Sequence, residues 1–288
     1  TLIFLHRIPI PNSCATTCSM ALHAIFLNSV YAATHRMFRY SMTTDFMSLR
    51  YWCAKPTSID ANPSDKDCTM KDLVIFGTGQ IAELAHFYFR QDSAYRVVAF
   101  TIDREFITED SFCDLPVVPF EQVAAAFPPD SHSFFVALSY SQLNRLRAQK
   151  VQDARSSGYS IAHYVSSRAT TWAGFKPQAN CFVLEDNTIQ PFATIGENVT
   201  LWSGNHIGHH SAIGNNCFIT SHVVVSGNVT VGERCFLGVN ATLRDGITLG
   251  EGCLVGAGAT LMRDAPADSL FKADATRPAK VAASQINF

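Results

Sequence analysis

The sequence predicts a small α/β domain with a parallel sheet, followed by a parallel β-helix. Between residues 70 and 165, short apolar segments alternate with segments of helical composition, which is typical of a Rossmann-like parallel sheet. From residue 183 to residue 261, every sixth residue is aliphatic. A fixed short period of this kind is typical of a solenoid, in which each repeat packs on its neighbours.

Composition indicates a folded protein with no strong electrostatic preference for a polyanion. The chain has 288 residues, of which 47% are hydrophobic and 16% charged, and its formal net charge is −2. Without a basic field, nucleic acid and anionic membranes are not expected as partners. No apolar run approaches the roughly 18–20 residues that span a bilayer, so no membrane span is expected.

The first 69 residues differ from the rest. They show no sustained period of 2 or 3.6 residues, whereas Met70 is followed at once by a strand-like run. We interpret Met70 as the natural start, and residues 1–69 as an extension that is unstructured or not native. The stretch 20–33 is similar to the apolar core of a signal peptide. It is internal and has no basic flank, so secretion is not expected and the predicted location is cytoplasmic.

Residues 70–165 show the alternation expected of an α/β domain. Strands are predicted at 73–76, 96–102, 133–138 and 159–164, with helices at 80–90 and 141–154. The turn Gly77-Thr78-Gly79 follows the first strand and opens a helix, which is the context for phosphate binding at a helix N-terminus. It is equally the composition of a tight turn. Asp103 ends the second strand and is a candidate contact for a nucleotide-linked substrate.

The six-residue period has a simple geometric meaning. The inward aliphatic positions are Val183, Ile189, Ile195, Leu201, Ile207, Ile213, Ile219, Val225, Val231, Leu237, Leu243, Leu249, Val255 and Leu261. Each unit is a short strand plus a corner, and three units close a triangular coil of eighteen residues. Burying the aliphatic stack does not offset the conformational entropy of ordering these coils, so we expect an oligomer.

Cysteine spacing follows the same period. Cys217, Cys235 and Cys253 are eighteen residues apart, and Cys181 lies two periods before Cys217, always two positions before an inward aliphatic residue. The pattern predicts an internal column of free thiols and favours a reducing compartment. No CxxC pair occurs in the sequence, so a metal site is not expected.

These repeats resemble the hexapeptide-repeat acyltransferases, most specifically in the stretch from Gly227 to Leu243. Residues 70–280 are similar to one branch, the sialic-acid O-acetyltransferase-like and nucleotide-sugar N-acetyltransferase group. The resemblance implies a left-handed β-helix over residues 166–288, a substrate-binding domain over residues 70–165, acetyl-CoA as acyl donor and a homotrimer.

The resemblance also assigns the catalytic residues. In this family a histidine at a β-helix corner, followed by an acidic residue, is the general base. His209 matches the base, and His210 stands where Glu or Asp is expected. A neutral histidine orients its neighbour by a hydrogen bond but adds no negative charge. His206 is predicted to line the same cleft and contact the substrate, whereas His222 falls on another corner and is a weaker candidate.

The donor site is assigned by the same resemblance. Matching positions for acyl-CoA are Phe218, Gly238, Val239, Asn240, Gly256, Ala257 and Gly258. The family's Gly-x-Pro-Ala-Lys ending appears without its glycine, as Thr276 to Lys280. Lys280 is therefore either a contact for a CoA phosphate or an ordinary surface lysine.

The predicted activity is N-acetylation of a nucleotide-linked amino sugar for surface polysaccharide or glycan synthesis, and several alternatives stay open. One is O-acetylation of a sugar or a sialic acid, because the same base serves an amine or a hydroxyl. Another is a non-catalytic β-helix that only binds. A third alternative is a β-helix carbonic anhydrase, which needs two zinc histidines five residues apart. His206 and His210 are four apart, so the spacing does not fit this enzyme.

Overall fold

A computed structural model describes residues 70–286, and the interpretation of residues 1–69 lies outside them. The N-terminal part is a six-stranded sheet with the order β3-β4-β2-β1-β5-β6. All pairs are parallel except β3 with β4. Its strands are β1 Lys71–Phe76, β2 Tyr95–Ile102, β3 Ser111–Phe112, β4 Leu115–Pro119, β5 His132–Val136 and β6 Ser160–Ile161. Its helices are α1 Gln80–Gln91, α2 Phe120–Ala126 and α3 Arg145–Ser156.

The parallel α/β sheet is confirmed, with corrections to its elements. The predicted strand at 159–164 is two pieces: β6 joins the N-terminal sheet, whereas β7, Tyr164–Val165, pairs with the first strand of the β-helix. The β-helix ladder therefore begins at Tyr164, two residues before the predicted start of the β-helix at residue 166. The segment 141–144 precedes α3 because Gln142, Leu143 and Asn144 all have positive φ. Three elements, β3, β4 and α2, were not predicted from the sequence.

The C-terminal part is a three-sided parallel β-helix of two-residue strands. Sheet A contains β10 Thr194–Ile195, β13 Ala212–Ile213, β16 Thr230–Val231 and β19 Thr248–Leu249. Sheet B contains β7, β8 Phe182–Val183, β11 Thr200–Leu201, β14 Phe218–Ile219, β17 Phe236–Leu237, β20 Leu254–Val255 and β22 Leu270–Phe271. Sheet C contains β9 Thr188–Ile189, β12 His206–Ile207, β15 Val224–Val225, β18 Thr242–Leu243 and β21 Thr260–Leu261.

Stacked side chains fill the triangular coil as the period predicts. Each strand pairs with the strand eighteen residues further on, for example Ile207 with Val225 and Ile219 with Leu237. All fourteen predicted aliphatic residues are buried in one continuous core. The predicted thiol column is also present, and Cys217, Cys235 and Cys253 are free and fully buried within it.

The corners follow a rule that the sequence analysis did not identify. Every sixth residue from 180 to 258 has a positive φ, including Asn198, His210 and His222. Asn, Asp, His and Gly adopt this conformation most readily, and they fill twelve of the fourteen corners. The two exceptions, Phe192 and Arg234, have a positive φ at the same place in the repeat. Glycine at the first position of a corner is required for a different reason, the close approach of the next coil. A Cβ at Gly208 would lie 2.5 Å from the backbone of that coil.

The N-terminal domain packs on sheet B, and the described residues form one compact unit. Arg147 on α3 is buried at this junction and donates hydrogen bonds to the side chain and carbonyl of Asn198 and to the carbonyl of Cys217. Burial lowers the pKa of Arg147 to about 10, so the guanidinium stays charged at neutral pH. Asn180 pairs with both backbone groups of Val136 and thereby ties β5 to the first coil.

Candidate active site

The three edges of the β-helix carry different side chains. The His209 edge joins sheet C to sheet A and consists of residues 190–193, 208–211, 226–229 and 244–247. The His222 edge joins sheet B to sheet C and consists of residues 184–187, 202–205, 220–223, 238–241 and 256–259. The cysteine edge joins sheet A to sheet B and consists of residues 196–199, 214–217, 232–235 and 250–253.

His209 and His210 lie together on the first of these edges. Both are exposed, and their Nδ1 atoms are 3.2 Å apart, within hydrogen-bonding distance. His210 has a φ of 59°, the left-handed backbone conformation of the third corner position. Gln190 of the preceding coil accepts a hydrogen bond from the backbone N–H of His209 at 2.9 Å. The contact between the two Nδ1 atoms leaves Nε2 of His209 available to exchange a proton.

An aromatic cavity adjoins the histidine pair on the coil before it. Its volume is about 400 Å³, and its lining includes Trp172, Phe175, Gln190, Phe192 and Thr194. Trp172 is 60% exposed and Phe192 is 75% exposed, which is unusual for side chains of this size. The Phe192 ring lies 4.7 Å from the ring of His210, centroid to centroid. The cavity therefore opens beside the two histidines.

The residues predicted for the acyl donor lie on a different edge. Gly238, Val239 and Asn240 form one corner of the His222 edge, and Gly256, Ala257 and Gly258 form the next corner. Val239, Asn240, Ala257 and Gly258 are exposed. Within one chain this edge and the His209 edge are separated by sheet C, so a single chain does not bring the two sets of residues together.

The prediction for Phe218 is not supported. Its side chain is 2% exposed and contacts Tyr140 and Arg147 of the N-terminal domain from sheet B. The ring stacks on Phe236 and contacts Tyr140, and the guanidinium of Arg147 lies 5.4 Å from its centroid. A donor molecule cannot contact a side chain that is covered in this way. Phe218 is a core residue of the junction between the two domains.

The remaining predicted residues are spread over the molecule. His206 begins β12 and is partly exposed on sheet C, just before the His209 corner. His222 is exposed on its own edge, and its ring covers Gly204, where a Cβ would lie 2.5 Å from Nδ1. Lys280 is exposed in the C-terminal tail.

The glycine turn has the geometry of a strand-to-helix turn at the carboxyl edge of the N-terminal sheet. Gly77 has a φ of 122°, and a Cβ there would lie 2.8 Å from the carbonyl oxygen of Ala137. Gly79 caps α1, with open space where a side chain would be. Thr78 lines a cavity of about 230 Å³. Asp103 pairs with Lys150 at 2.6 Å, so one of its oxygens is already engaged.

Two further observations concern the described residues. Between residues 70 and 286, no group of three or more His, Cys, Asp or Glu side chains is arranged to hold a metal ion. None of the helices in this part of the chain is both long and apolar enough to cross a membrane.

Comparisons with known proteins agree with this architecture. A family model described as "Bacterial transferase hexapeptide (six repeats)" matches residues 192–227. A second, described as "Hexapeptide repeat of succinyl-transferase", matches residues 228–263. No curated protein matches the chain in sequence.

Solved structures match almost all of the described chain. PerB from Caulobacter crescentus in complex with CoA and GDP-perosamine is 27% identical, with a TM-score of 0.62, and the match covers 70% of this chain and 93% of that one. A histidine variant of perosamine N-acetyltransferase from the same organism, with the same two ligands, is 26% identical, with a TM-score of 0.63 and the same coverage. The acetyltransferase domain of PglB from Neisseria gonorrhoeae is 22% identical, covers 69% and 95%, has a TM-score of 0.63 and supports the fold.

The repeats, the three-sided coil and these matches define the class: the chain is an acyltransferase that carries transferase hexapeptide repeats over residues 192–263. Its β-helix is left-handed, as the resemblance implied. More particularly, the α/β domain in front of the β-helix is an architecture that the chain shares with the perosamine N-acetyltransferase structures.

Proposed function

We propose that this chain transfers the acetyl group of acetyl-CoA to the amino group of a nucleotide-linked sugar, with His209 as the general base. The observation that carries the proposal is the exposed His209–His210 pair at a corner of this β-helix. The fold is shared with a protein that was crystallised with CoA and GDP-perosamine. Both lines point to the same chemistry, in which a thioester meets an amine beside a base.

The proposed reaction needs one base and no acyl-enzyme intermediate. The sugar nitrogen attacks the thioester carbonyl, and Nε2 of His209 takes the proton that the nitrogen loses. The C–S bond then breaks, and the imidazolium returns the proton to the leaving sulfur, so the products are the amide and the free thiol of CoA. Nδ1 of His209 donates its hydrogen to Nδ1 of His210 throughout, which fixes the ring and its tautomer.

We assign the two substrates to different surfaces. The acetyl donor lies along the exposed corners of the His222 edge, against Val239, Asn240 and Ala257. The sugar ring of the acceptor lies in the aromatic cavity beside His210, against Phe192 and Trp172, because aromatic faces suit the apolar faces of a pyranose. The nucleotide lies at the turn Gly77-Thr78-Gly79, where backbone N–H groups and a helix N-terminus favour a phosphate.

These surfaces meet only if several copies of the chain assemble. In one chain the N-terminal domain covers sheet B, the side of the triangle opposite the His209 edge. We therefore propose a homotrimer in which the His209 edge of one subunit faces the His222 edge of the next. A cyclic assembly repeats the same interface three times and closes on itself. The four buried free thiols of the β-helix suit a cytoplasmic location.

A substrate panel tests the proposal. Purified protein is incubated with acetyl-CoA and one of several 4-amino sugars linked to UDP, dTDP or GDP, or with sialic acid, and thiol release is followed. We expect release with at least one nucleotide-linked amino sugar and its loss in the His209→Ala variant. Release with sialic acid alone would favour O-acetylation. Binding of acetyl-CoA without turnover of any acceptor would favour a non-catalytic role.

A further inference from the structure

A column of outward side chains runs along the His209 edge, with one member from each coil. Its successive positions are Pro191, His209, Gly227 and Asp245, spaced eighteen residues apart. Gly227 is buried and carries no side chain, so a gap separates the imidazole from the carboxylate. Both groups extend into that gap from opposite sides.

The geometry at Gly227 shows how closely they approach. A Cβ built at Gly227 would lie 2.6 Å from Nε2 of His209 and 2.9 Å from Oδ1 of Asp245. Because both distances are measured from the same point, Nε2 and Oδ1 are within about 6 Å of each other. This is the range over which an opposite charge stabilises an ionised group. Any side chain at position 227 would push into this space.

Asp245 has no competing partner among residues 70–286. Its carboxylate accepts no hydrogen bond there, and it forms no ion pair there, although Arg244 precedes it on the same edge. Arg244 instead donates to the carbonyl of Met262. The exposed carboxylate is therefore free to respond to a charge on His209.

The other groups around His209 cannot supply that charge. On the preceding coil its neighbours are Gln190, Pro191 and Phe192, and on the following coil they are Ser226, Gly227 and Asn228. None of these titrates. His210 is the only other titratable group that contacts His209 among the described residues, and it is neutral when its Nδ1 accepts a hydrogen bond.

We propose that Asp245 is a positioning residue for His209: across the gap at Gly227 its carboxylate supplies the negative charge that residue 210 lacks. This inference rests on the proposed function, because it assumes that His209 takes a proton from the acceptor. The carboxylate stabilises the imidazolium that forms at that moment and holds the ring edge toward the gap.

The test is the pH dependence of kcat/KM for acetyl transfer in wild type and in Asp245→Asn. Without the carboxylate the imidazolium that forms during acetyl transfer is less stabilised, so the acidic limb of the profile moves to lower pH, by about one unit. At the optimum, kcat/KM falls about tenfold because the base is weaker. Asp245→Glu restores most of both. The matched control is Asp186→Asn, which changes an exposed corner carboxylate on the His222 edge and leaves the profile unchanged.

Each outcome is decisive. A slower Asp245→Asn enzyme whose acidic limb stays in place would overturn the inference and assign Asp245 a merely structural role. An unchanged enzyme would overturn it as well. Retained activity in His209→Ala would instead overturn the proposed function itself, so the two failures are distinguishable. A second variant, Gly227→Ala, places a methyl group 2.6 Å from the imidazole and is expected to reduce turnover without lowering the affinity for acetyl-CoA.

Discussion

The His209 edge and the His222 edge are built by the same repeat, yet among the described residues only the first places a second imidazole within hydrogen-bonding distance of its histidine. Both edges place a histidine ring over a glycine of an adjacent coil, Gly227 beneath His209 and Gly204 beneath His222. On the His209 edge the ring also contacts His210 and faces Asp245. On the His222 edge the following corners carry Val239 and Ala257, which cannot titrate.

The difference shows how a regular solenoid acquires a site. The repeat fixes the backbone at each corner and leaves the second corner position free to vary, whereas the third position favours Asn, Asp, His or Gly because its φ is positive. Stacking then brings residues that are eighteen or thirty-six positions apart into one column. Chemistry arises where a column combines a base, a partner for its second nitrogen and a gap, and the His209 edge meets all three conditions.

The largest expected effect separates the two histidines. His209→Ala is expected to lower kcat by about 10²- to 10⁴-fold, because the general base is lost. His222→Ala is expected to change kcat less than about fivefold, because no second titratable group supports it. Initial rates of thiol release at saturating substrates measure both. Near-equal losses in the two variants would remove the distinction between the edges.

A smaller effect is expected in the aromatic cavity. Phe192→Ala is expected to raise the KM for the nucleotide sugar about fivefold to tenfold, because the loss of one aromatic face costs about 1 kcal/mol. The KM for acetyl-CoA should not change, since the donor lies on the other edge. Size-exclusion chromatography serves as the control. A change in oligomeric state without a change in either KM would assign Phe192 to the subunit interface.

The smallest effect concerns the cysteine edge. Burial raises the pKa of Cys181 to about 11 and also raises the pKa of Cys253. These thiols are protonated and shielded at neutral pH, so iodoacetamide is expected to modify them only after denaturation. The partly exposed Cys113 provides the comparison. Mass spectrometry of the modified peptides measures this, and fast labelling of Cys217 or Cys235 in native protein would contradict the buried column.

Local patterns explain which parts of the structure the sequence predicted. The inward positions, the thiol column and the coil length all follow from a period of six, because each coil contacts only its neighbours. The assignment of Phe218 to the donor site was wrong because its partners Tyr140 and Arg147 come from the other domain. No periodic pattern specifies a contact of that kind. Asp245 was missed because it lies two coils from His209, and the two side chains approach each other only because Gly227 of the coil between them has no side chain.

The start of helix α3 also depends on a contact that local sequence patterns do not specify. Its start was predicted too early because three successive residues adopt positive φ, and one of them, Asn144, is buried against the carbonyl of Cys235. Propensity alone favoured a helix over residues 141–144. The contact with the β-helix determines the observed conformation, and this contact joins residues about ninety positions apart.

The most direct test of the account mixes two inactive variants. His209→Ala removes the base, and Ala257→Trp blocks the proposed donor surface on the other edge. In randomly mixed trimers about a quarter of the interfaces pair an intact His209 edge with an intact His222 edge. The account predicts that co-expression restores about a quarter of the wild-type activity. Mixed trimers that contain both variants and stay inactive would contradict a site shared between subunits.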